Sequence, residues 1–461
     1  MSTMISGTTL RRVTVAGLAL LVGLAACDTS KILKVNDRDR VTQATLDDPD
    51  VLDVVVNGAV GDFTTSYSGN GGDAFLSVTG VMSDELYSAG TFPTRTVTDQ
   101  RIQYPMAQGN TSDGAYSGLE QARRSLHDAA VRVADANGTS NADYIQLKAL
   151  EGYALVALAE GFCGAVPVST VENGEFVYGQ PMTTTETLNM AISAFDDALA
   201  GGASNLAAVG KGRALLDLGQ FAAAATAVAG VPTDYNSFIY HSVSGANNPI
   251  YALQGNGRYA LSDVEGINGL PFRSANDPRS PWVQDPAGGF DQTIPLYLAL
   301  KYTAYTDPVV LASGVEARLI EAEAAMQASD FVTMMTRLND LRADVNNLMD
   351  AQVPGYAAGL DCGGAACNTL APLTDPGDAA GRRAMIFSER GFWLLLTGHR
   401  LGDLRRLVYE YGLTQDQAYP TGAYHKGGTY GSDVVFPLGF DEVNNPNFTV
   451  DMCSVASAAI N

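Results

Sequence analysis

The sequence predicts a mainly α-helical protein: tetratricopeptide-like helical hairpins carrying long irregular loops and a few short strands. Three observations predict it. Apolar residues recur at helical spacing over roughly 116–230 and again over roughly 300–345. Two segments, NLAAVGKGRALLDLGQFAAAATAVAGVP and EARLIEAEAAMQASDFVTMMTRLNDLRADV, each read as two helices joined by a tight turn. Two other regions, 64–114 and 232–300, are rich in Gly, Ser, Thr, Asn, Asp and Pro and read as loops.

The N-terminus sets the compartment. Arg11 and Arg12 precede an apolar run from Val13 to Ala26, shorter than the roughly 20 residues that span a bilayer. A basic start, an apolar middle and the small residues Ala25 and Ala26 make a secretory signal over 1–26. Leu24-Ala25-Ala26-Cys27 matches the bacterial lipoprotein pattern, in which the Cys27 thiol is acylated and becomes the new N-terminus. Each buried CH₂ of an acyl chain contributes about 0.8 kcal/mol to holding a globular body at a membrane. The competing reading is an ordinary cleaved signal with a chance cysteine. Asp28 follows, a residue that retains some lipoproteins in the inner membrane. Residues 27–40, with KILKVNDRDR, form a polar tether, and 41–461 form one domain.

The first helix begins near Asp48 or Asp50, with Pro49 in its first turn and Val51, Leu52, Val55, Val56 and Ala59 at helical spacing. Helices resume over 116–136 and 143–162; the second carries Leu147, Leu150, Ala154, Ala157 and Leu158 on one face. Thr183–Thr185 cap a helix that runs to Ala200. The next ends near Leu218, Gly219 turns the chain, and an Ala-rich partner follows to Ala229. Ser329-Asp330 marks the turn of the second hairpin. Residues 348–379 and the C-terminal YPTGAYHKGGTYGSDVVFPLGFDEVNNPNF read as irregular.

Net charge is −22. Nucleic-acid affinity rests on Lys and Arg against phosphates, so no nucleic-acid partner is expected. Beyond Cys27 there are four cysteines, and an even number in an exported chain favours disulfides. CGGAAC places Cys362 and Cys367 in a tight loop that can close on itself, leaving Cys163 to pair with Cys453; four cysteines nevertheless allow three pairings. No G-x-S-x-G, H-E-x-x-H or phosphate-loop pattern is present. AVGKGRA has Gly212 where a phosphate loop needs a hydroxyl, and GNGRYA is followed by a poor helix start. The four histidines are scattered. No catalytic residue, cofactor or metal site is expected.

One stretch is distinctive: GRRAMIFSERGFWLLLTGHRLGDLRRLVYEYG, residues 381–412. It resembles the C-terminal signature of the SusD/RagB family, in which an Arg- and Glu-bearing apolar helix leads into a G-H-R-x-x-D-L-R-R run. Leu401, Leu404, Leu407, Val408 and Tyr411 lie at helical spacing and Gly412 can stop the helix, so Arg400, Asp403, Arg405 and Arg406 read as ion-pair scaffolding. Other pieces resemble the family in order: CDTSKILKVNDRD, VVVNGAVGDF, VMSDELYSAG, FCGAVPVS, LALKYT with EARLIEAEA, and FPLGFDEVNNPN in the 381–447 region. One departure is Thr397, where family members often carry Glu.

The resemblance implies a SusD-like fold and an outer-membrane, lipid-anchored, cell-surface protein. Such a protein binds an oligosaccharide or polysaccharide, or a peptide, and hands it to a TonB-dependent transporter, a SusC-like β-barrel. No catalysis is implied. Rings cover the apolar faces of sugars while Asp, Asn and Arg bond hydroxyls. The first loop region offers Tyr67, Asp84, Glu85, Tyr87, Phe92 and Arg95; the second offers Asn276, Arg279, Trp282 and Tyr297. Any of these can instead anchor its loop to the helices. Two other functions compete: an envelope scaffold acting through its hairpins, and an exported glycosidase using some pair of its 50 acidic residues.

Overall fold

The structure, a computed structural model, describes residues 49–104, 109–172, 175–353 and 369–459. Cys27 and Asp28, the leader and the tether, and the Cys362–Cys367 loop lie outside the described residues. The described residues from Leu52 on belong to one compact unit.

Helix α1 (Leu52–Phe63) buries Val56, Ala59 and Phe63. Residues 64–114 are more ordered than their composition predicts. A π-helical turn over Thr64–Ser68 precedes α2 (Phe75–Met82), whose residues are all buried. Strand β1 (Leu86–Ser88) and α3 (Pro93–Asp99) follow. The Ser and Thr content that suggested loop is accommodated internally: Ser77 Oγ donates to Ala74 O and Thr79 Oγ1 to Phe75 O, so the hydroxyls enter the core satisfied.

Helices α4 (Asp113–Asn137) and α5 (Ala142–Gly161) form the first hairpin, turning at Gly138 with φ +81°. Helix α5 differs from its expected single apolar face. From Leu147 to Gly161 it is buried on every side, packed between α4 and α6 (Thr184–Gly201). Between α5 and α6 run two antiparallel pairs, β2 (Val166–Pro167) with β5 (Pro181–Met182), and β3 (Thr170–Glu172) with β4 (Glu175–Val177). Thr183 and Glu186 close a reciprocal cap on α6.

The two hairpins read from the sequence are present. Helices α7 (Asn205–Asp217) and α8 (Phe221–Val228) turn at Gly219, φ +67°. Strand β6 (Asn236–Ile239), α9 (Pro249–Gly255), β7 (Tyr259–Leu261), β8 (Trp282–Asp285), β9 (Leu296–Ala299) and β10 (Val309–Ser313) fill the second loop region. Helices α10 (Gly314–Gln327) and α11 (Phe331–Ala343) then turn at Ser329, φ +60°. Gly212 permits the packing: a Cβ there would stand 2.4 Å from Val228 Cγ1 and 3.4 Å from Ile320 Cδ1. Helical structure continues past the expected end through α12 (Val345–Gln352).

Helices α13 (Ala379–Trp393) and α14 (Arg400–Tyr409) carry the signature, and its charges are buried and paired. Asp403 accepts from Arg390 and Arg406; Arg406 also reaches Glu323 and Asp217, each at 2.9 Å. Arg213 grips Glu160 at 2.5 Å. Among the described residues Arg405 has no carboxylate partner, and it spreads its guanidinium over the carbonyls of Ala159, Phe162 and Ala458. A buried Arg is stable only with such partners. The connection between α13 and α14 forces Leu396 to φ +53°, a left-handed value unusual for leucine. Three side chains hold it: Glu85 accepts from Leu396 N at 2.7 Å, Lys301 donates to Leu395 O at 2.6 Å and Tyr302 donates to Leu396 O at 3.0 Å. Cys163 and Cys453 form a disulfide with Cα atoms 5.3 Å apart, tying the exit of α5 to the C-terminal segment.

Candidate functional site

Strand pairing brings several of the candidate rings together. In the β8–β9 ladder Trp282 lies opposite Ala299 and Gln284 opposite Tyr297. Residues two apart share a face, so Trp282 and Tyr297 are diagonal neighbours, and their rings meet edge to face at 5.5 Å. Trp282 Nε1 donates to Arg273 O at 3.1 Å. The Arg273 guanidinium lies over the Tyr297 ring, 3.5 Å from its centroid. Asp263 fixes this turn by accepting from the backbone N–H of Arg273 and Ser274 at 3.0 and 2.9 Å.

Asp263, Arg273 and Tyr297 line a cavity of about 460 Å³ together with Tyr87, Glu265, Ile294, His425 and Tyr430, and Trp282 packs against Tyr297 beside it. Strand β1, paired with β7 through Tyr87 and Ala260, presents Tyr87, whose hydroxyl donates to Pro295 O at 2.7 Å. The loop over 419–431 supplies the opposite wall. His425 stands edge-on to Tyr87 at 5.0 Å and Tyr430 donates to Glu265. Behind the wall Asp99 accepts from Ser88 N at 2.7 Å and from Tyr424 at 2.9 Å. Burial and the Glu265 charge push the Asp99 carboxyl up to about 7. For His425 burial disfavours the charged form, but Glu265 and Asp99 outweigh it and raise its pKa above the usual value. The arrangement offers ring faces, a guanidinium and carboxylates around one concave space, suited to a polar ligand with apolar faces.

A larger cavity of about 860 Å³ lies between α8, α10 and α11. Alanines dominate its walls, and Glu321 and Arg337 in its lining face each other at 2.7 Å.

The ten candidate ligand residues divide. Tyr87 and Tyr297 line the smaller cavity, and Trp282 packs against Tyr297 without lining it. Asn276 is exposed on the neighbouring loop, with φ +48°. Phe92 and Arg95 belong to another cluster: Phe92, 47% exposed, lies between the guanidiniums of Arg95 and Arg258, and Arg95 is tied to Asp73 at 2.7 Å. The remaining four are corrected. Tyr67 is buried and donates to Thr397 O. Asp84 is buried against Arg400 at 2.5 Å. Glu85 is buried beneath Leu396. Arg279 is buried between Asp277 and Glu389 at 2.7 and 2.6 Å. All four belong to the buried scaffold and do not line the cavity. Arg273, Asp263, Glu265, His425 and Tyr430 were not singled out from the sequence. The signal available for the last two was the ring-rich AYHKGGTYG, set within a segment read only as loop.

No protein-family model matches the chain, and no curated protein matches it. Solved structures do. A SusD superfamily protein from Bacteroides fragilis superposes with TM-score 0.59 and 16% identity, covering 87% of this chain and 98% of that one. A SusD-like carbohydrate binding protein from Bacteroides vulgatus gives 0.55 and 15%, covering 77% and 82%. A laminarin binding SusD-like protein gives 0.53 and 15%, covering 87% and 98%. The fold is therefore SusD-like and mainly helical.

Proposed function

We propose that this chain of SusD-like fold is a non-catalytic glycan-binding lipoprotein that takes an oligosaccharide or polysaccharide into the cavity between β1, β9 and the 419–431 loop. The observation that carries the reading is the meeting of Tyr87 and Tyr297 with Arg273 and Glu265 around one open space, with Trp282 packed against Tyr297. Ring faces cover the apolar sides of a sugar, and the guanidinium and carboxylates bond its hydroxyls. Structural neighbours described as carbohydrate binding and laminarin binding support the ligand class.

Acylation at Cys27 holds the protein on the outer membrane, at the cell surface, where it passes its ligand to a TonB-dependent, SusC-like transporter. The lipoprotein pattern at Leu24–Cys27 and the fold support this. No helix among the described residues is long and apolar enough to cross a membrane.

Calorimetric titration with soluble glucans and other glycans tests the ligand class. Trp282→Ala and Tyr297→Ala each lower affinity at least tenfold, about 1.4 kcal/mol. Unaltered affinity in both would remove the cavity as the site. Gentle-detergent pull-down from native membranes tests the partner: a stoichiometric β-barrel supports it, and recovery of inner-membrane proteins alone overturns it.

A further inference from the structure

Below the cavity, three segments far apart in the chain converge. Asp99 ends α3, Glu265 follows β7, and His425 lies in the 419–431 loop. Each offers one metal-ligating atom, and these atoms lie within 4.8 Å of one another. Asp99 is 2% exposed, yet its Oδ1 has no hydrogen-bond partner. Buried carboxylate oxygens are ordinarily satisfied, so an orphan beside a second acid calls for a cation.

The tautomer of His425 points the same way. Nε2 lies 3.0 Å from Ser88 O, and a carbonyl can only accept, so Nε2 carries a proton. In the neutral ring Nδ1 then turns its lone pair toward Glu265 Oε1, 3.6 Å away. Two electron-rich atoms facing each other repel unless a proton or a metal ion lies between them. Donors each about 2.1 Å from a tetrahedral zinc ion stand about 3.4 Å apart. A metal-bound histidine characteristically donates its other N–H to a carbonyl or carboxylate, the bond seen to Ser88 O. The nearby Lys426 is engaged elsewhere, with Gly90 O at 2.5 Å and Asp291 at 3.5 Å.

We propose that Asp99, Glu265 and His425 bind one divalent transition-metal ion of the Zn²⁺ type, clamping the 419–431 loop to β1 at the floor of the cavity. Mixed imidazole and carboxylate donors suit such an ion, whereas Ca²⁺ and Mg²⁺ favour oxygen alone. Three protein ligands leave a coordination position for water or a ligand hydroxyl. Only the ligand hydroxyl rests on the glycan reading of the cavity; the ion itself does not.

The full chain, stripped with EDTA and dialysed, is titrated with ZnCl₂ by calorimetry. One saturable equivalent is expected, with CaCl₂ and MgCl₂ binding at least tenfold more weakly. Asp99→Asn and Glu265→Gln keep their acceptor oxygens and shed charge; each lowers zinc affinity at least tenfold with unchanged circular dichroism. No saturable binding would overturn the proposal. So would binding undiminished in both variants. Should the variants fail to fold, anomalous scattering at the zinc edge from wild-type crystals decides: a peak among the three side chains supports the site, and peaks only elsewhere refute it. Glycan titration of the stripped protein is read separately, so loss of metal binding and loss of glycan binding are distinguishable.

Discussion

Asp403 sits between Arg390 and Arg406, which approach its Oδ1 at 2.8 and 2.9 Å, with all three side chains buried. Burial opposes ionisation of Asp403, but the two guanidinium charges override it and hold its carboxyl well below the usual range. Asp403→Asn leaves Arg390 facing Glu323 only at 3.8 Å. Breaking a buried pair in this way costs about 3–5 kcal/mol, and thermal melting at neutral pH is expected to show that loss. The contribution of Asp403 is present above the unfolded value of 3.8 and lost as pH falls through the depressed native value. The stability gap between the variant and the wild type therefore narrows in acid.

Glu85 behaves oppositely. Burial pushes its carboxyl up to about 8. Between about pH 4.5 and 8 the folded chain holds a proton that the unfolded chain has released, so this group's contribution is complete below 4.5 and lost as pH rises through 8. Glu85→Gln keeps an acceptor for Leu396 N and cannot ionise. Its melting temperature is expected to match the wild type near pH 4.5 and exceed it at pH 8.

The Cys163–Cys453 bridge closes a separation of 290 residues. Removing a native disulfide typically costs about 2–5 kcal/mol. A Cys163→Ser, Cys453→Ser double variant is expected to lose that much unfolding free energy and to melt at a lower temperature, with faster amide exchange in residues 450–459. Equal melting temperatures with and without the bridge would contradict this.

Arg273 lies flat on Tyr297 at the rim of the cavity. Arg273→Leu keeps an apolar stem over the ring and removes the donors. A charge-assisted hydrogen bond contributes about 1.5–3 kcal/mol, so glycan affinity is expected to fall roughly ten- to hundredfold. The melting temperature should change little, because Arg273 makes no ion pair among the described residues. A large fall in stability with unchanged affinity would make Arg273 structural.

The helical scaffold was legible because its signal is local. Gly219 and Ser329 mark the turns where the structure has them, and Ala- and Leu-rich stripes gave the helices on either side. Helix α2 was hidden because FLSVTGVM is short and carries Ser and Thr, whose hydroxyls bond to backbone carbonyls one turn back. The full burial of α5 was hidden too. Its Glu151 and Glu160 look like solvent-facing residues until Lys148 and Arg213 are seen beside them.

The candidate site was legible only in part. Trp282 and Tyr297 are separated by 15 positions, and a loop context made both attractive; the strand register then placed them on one face. Tyr67, Asp84, Glu85 and Arg279 looked equally attractive and proved to be buried.

By itself, then, the sequence determined the class of scaffold, its turns, the charged signature over 400–406 and the expectation of a lipid anchor, because periodicity, turn chemistry and short motifs act over a few residues. Only the tertiary structure decided which polar residues are interior and which line the cavity. A carboxylate reads the same in sequence whether its neighbour is water or an arginine 316 positions away, as for Asp84 and Arg400. The convergence of Asp99, Glu265 and His425 is of the same kind: three unrelated segments meet because the core on which they rest packs in one way.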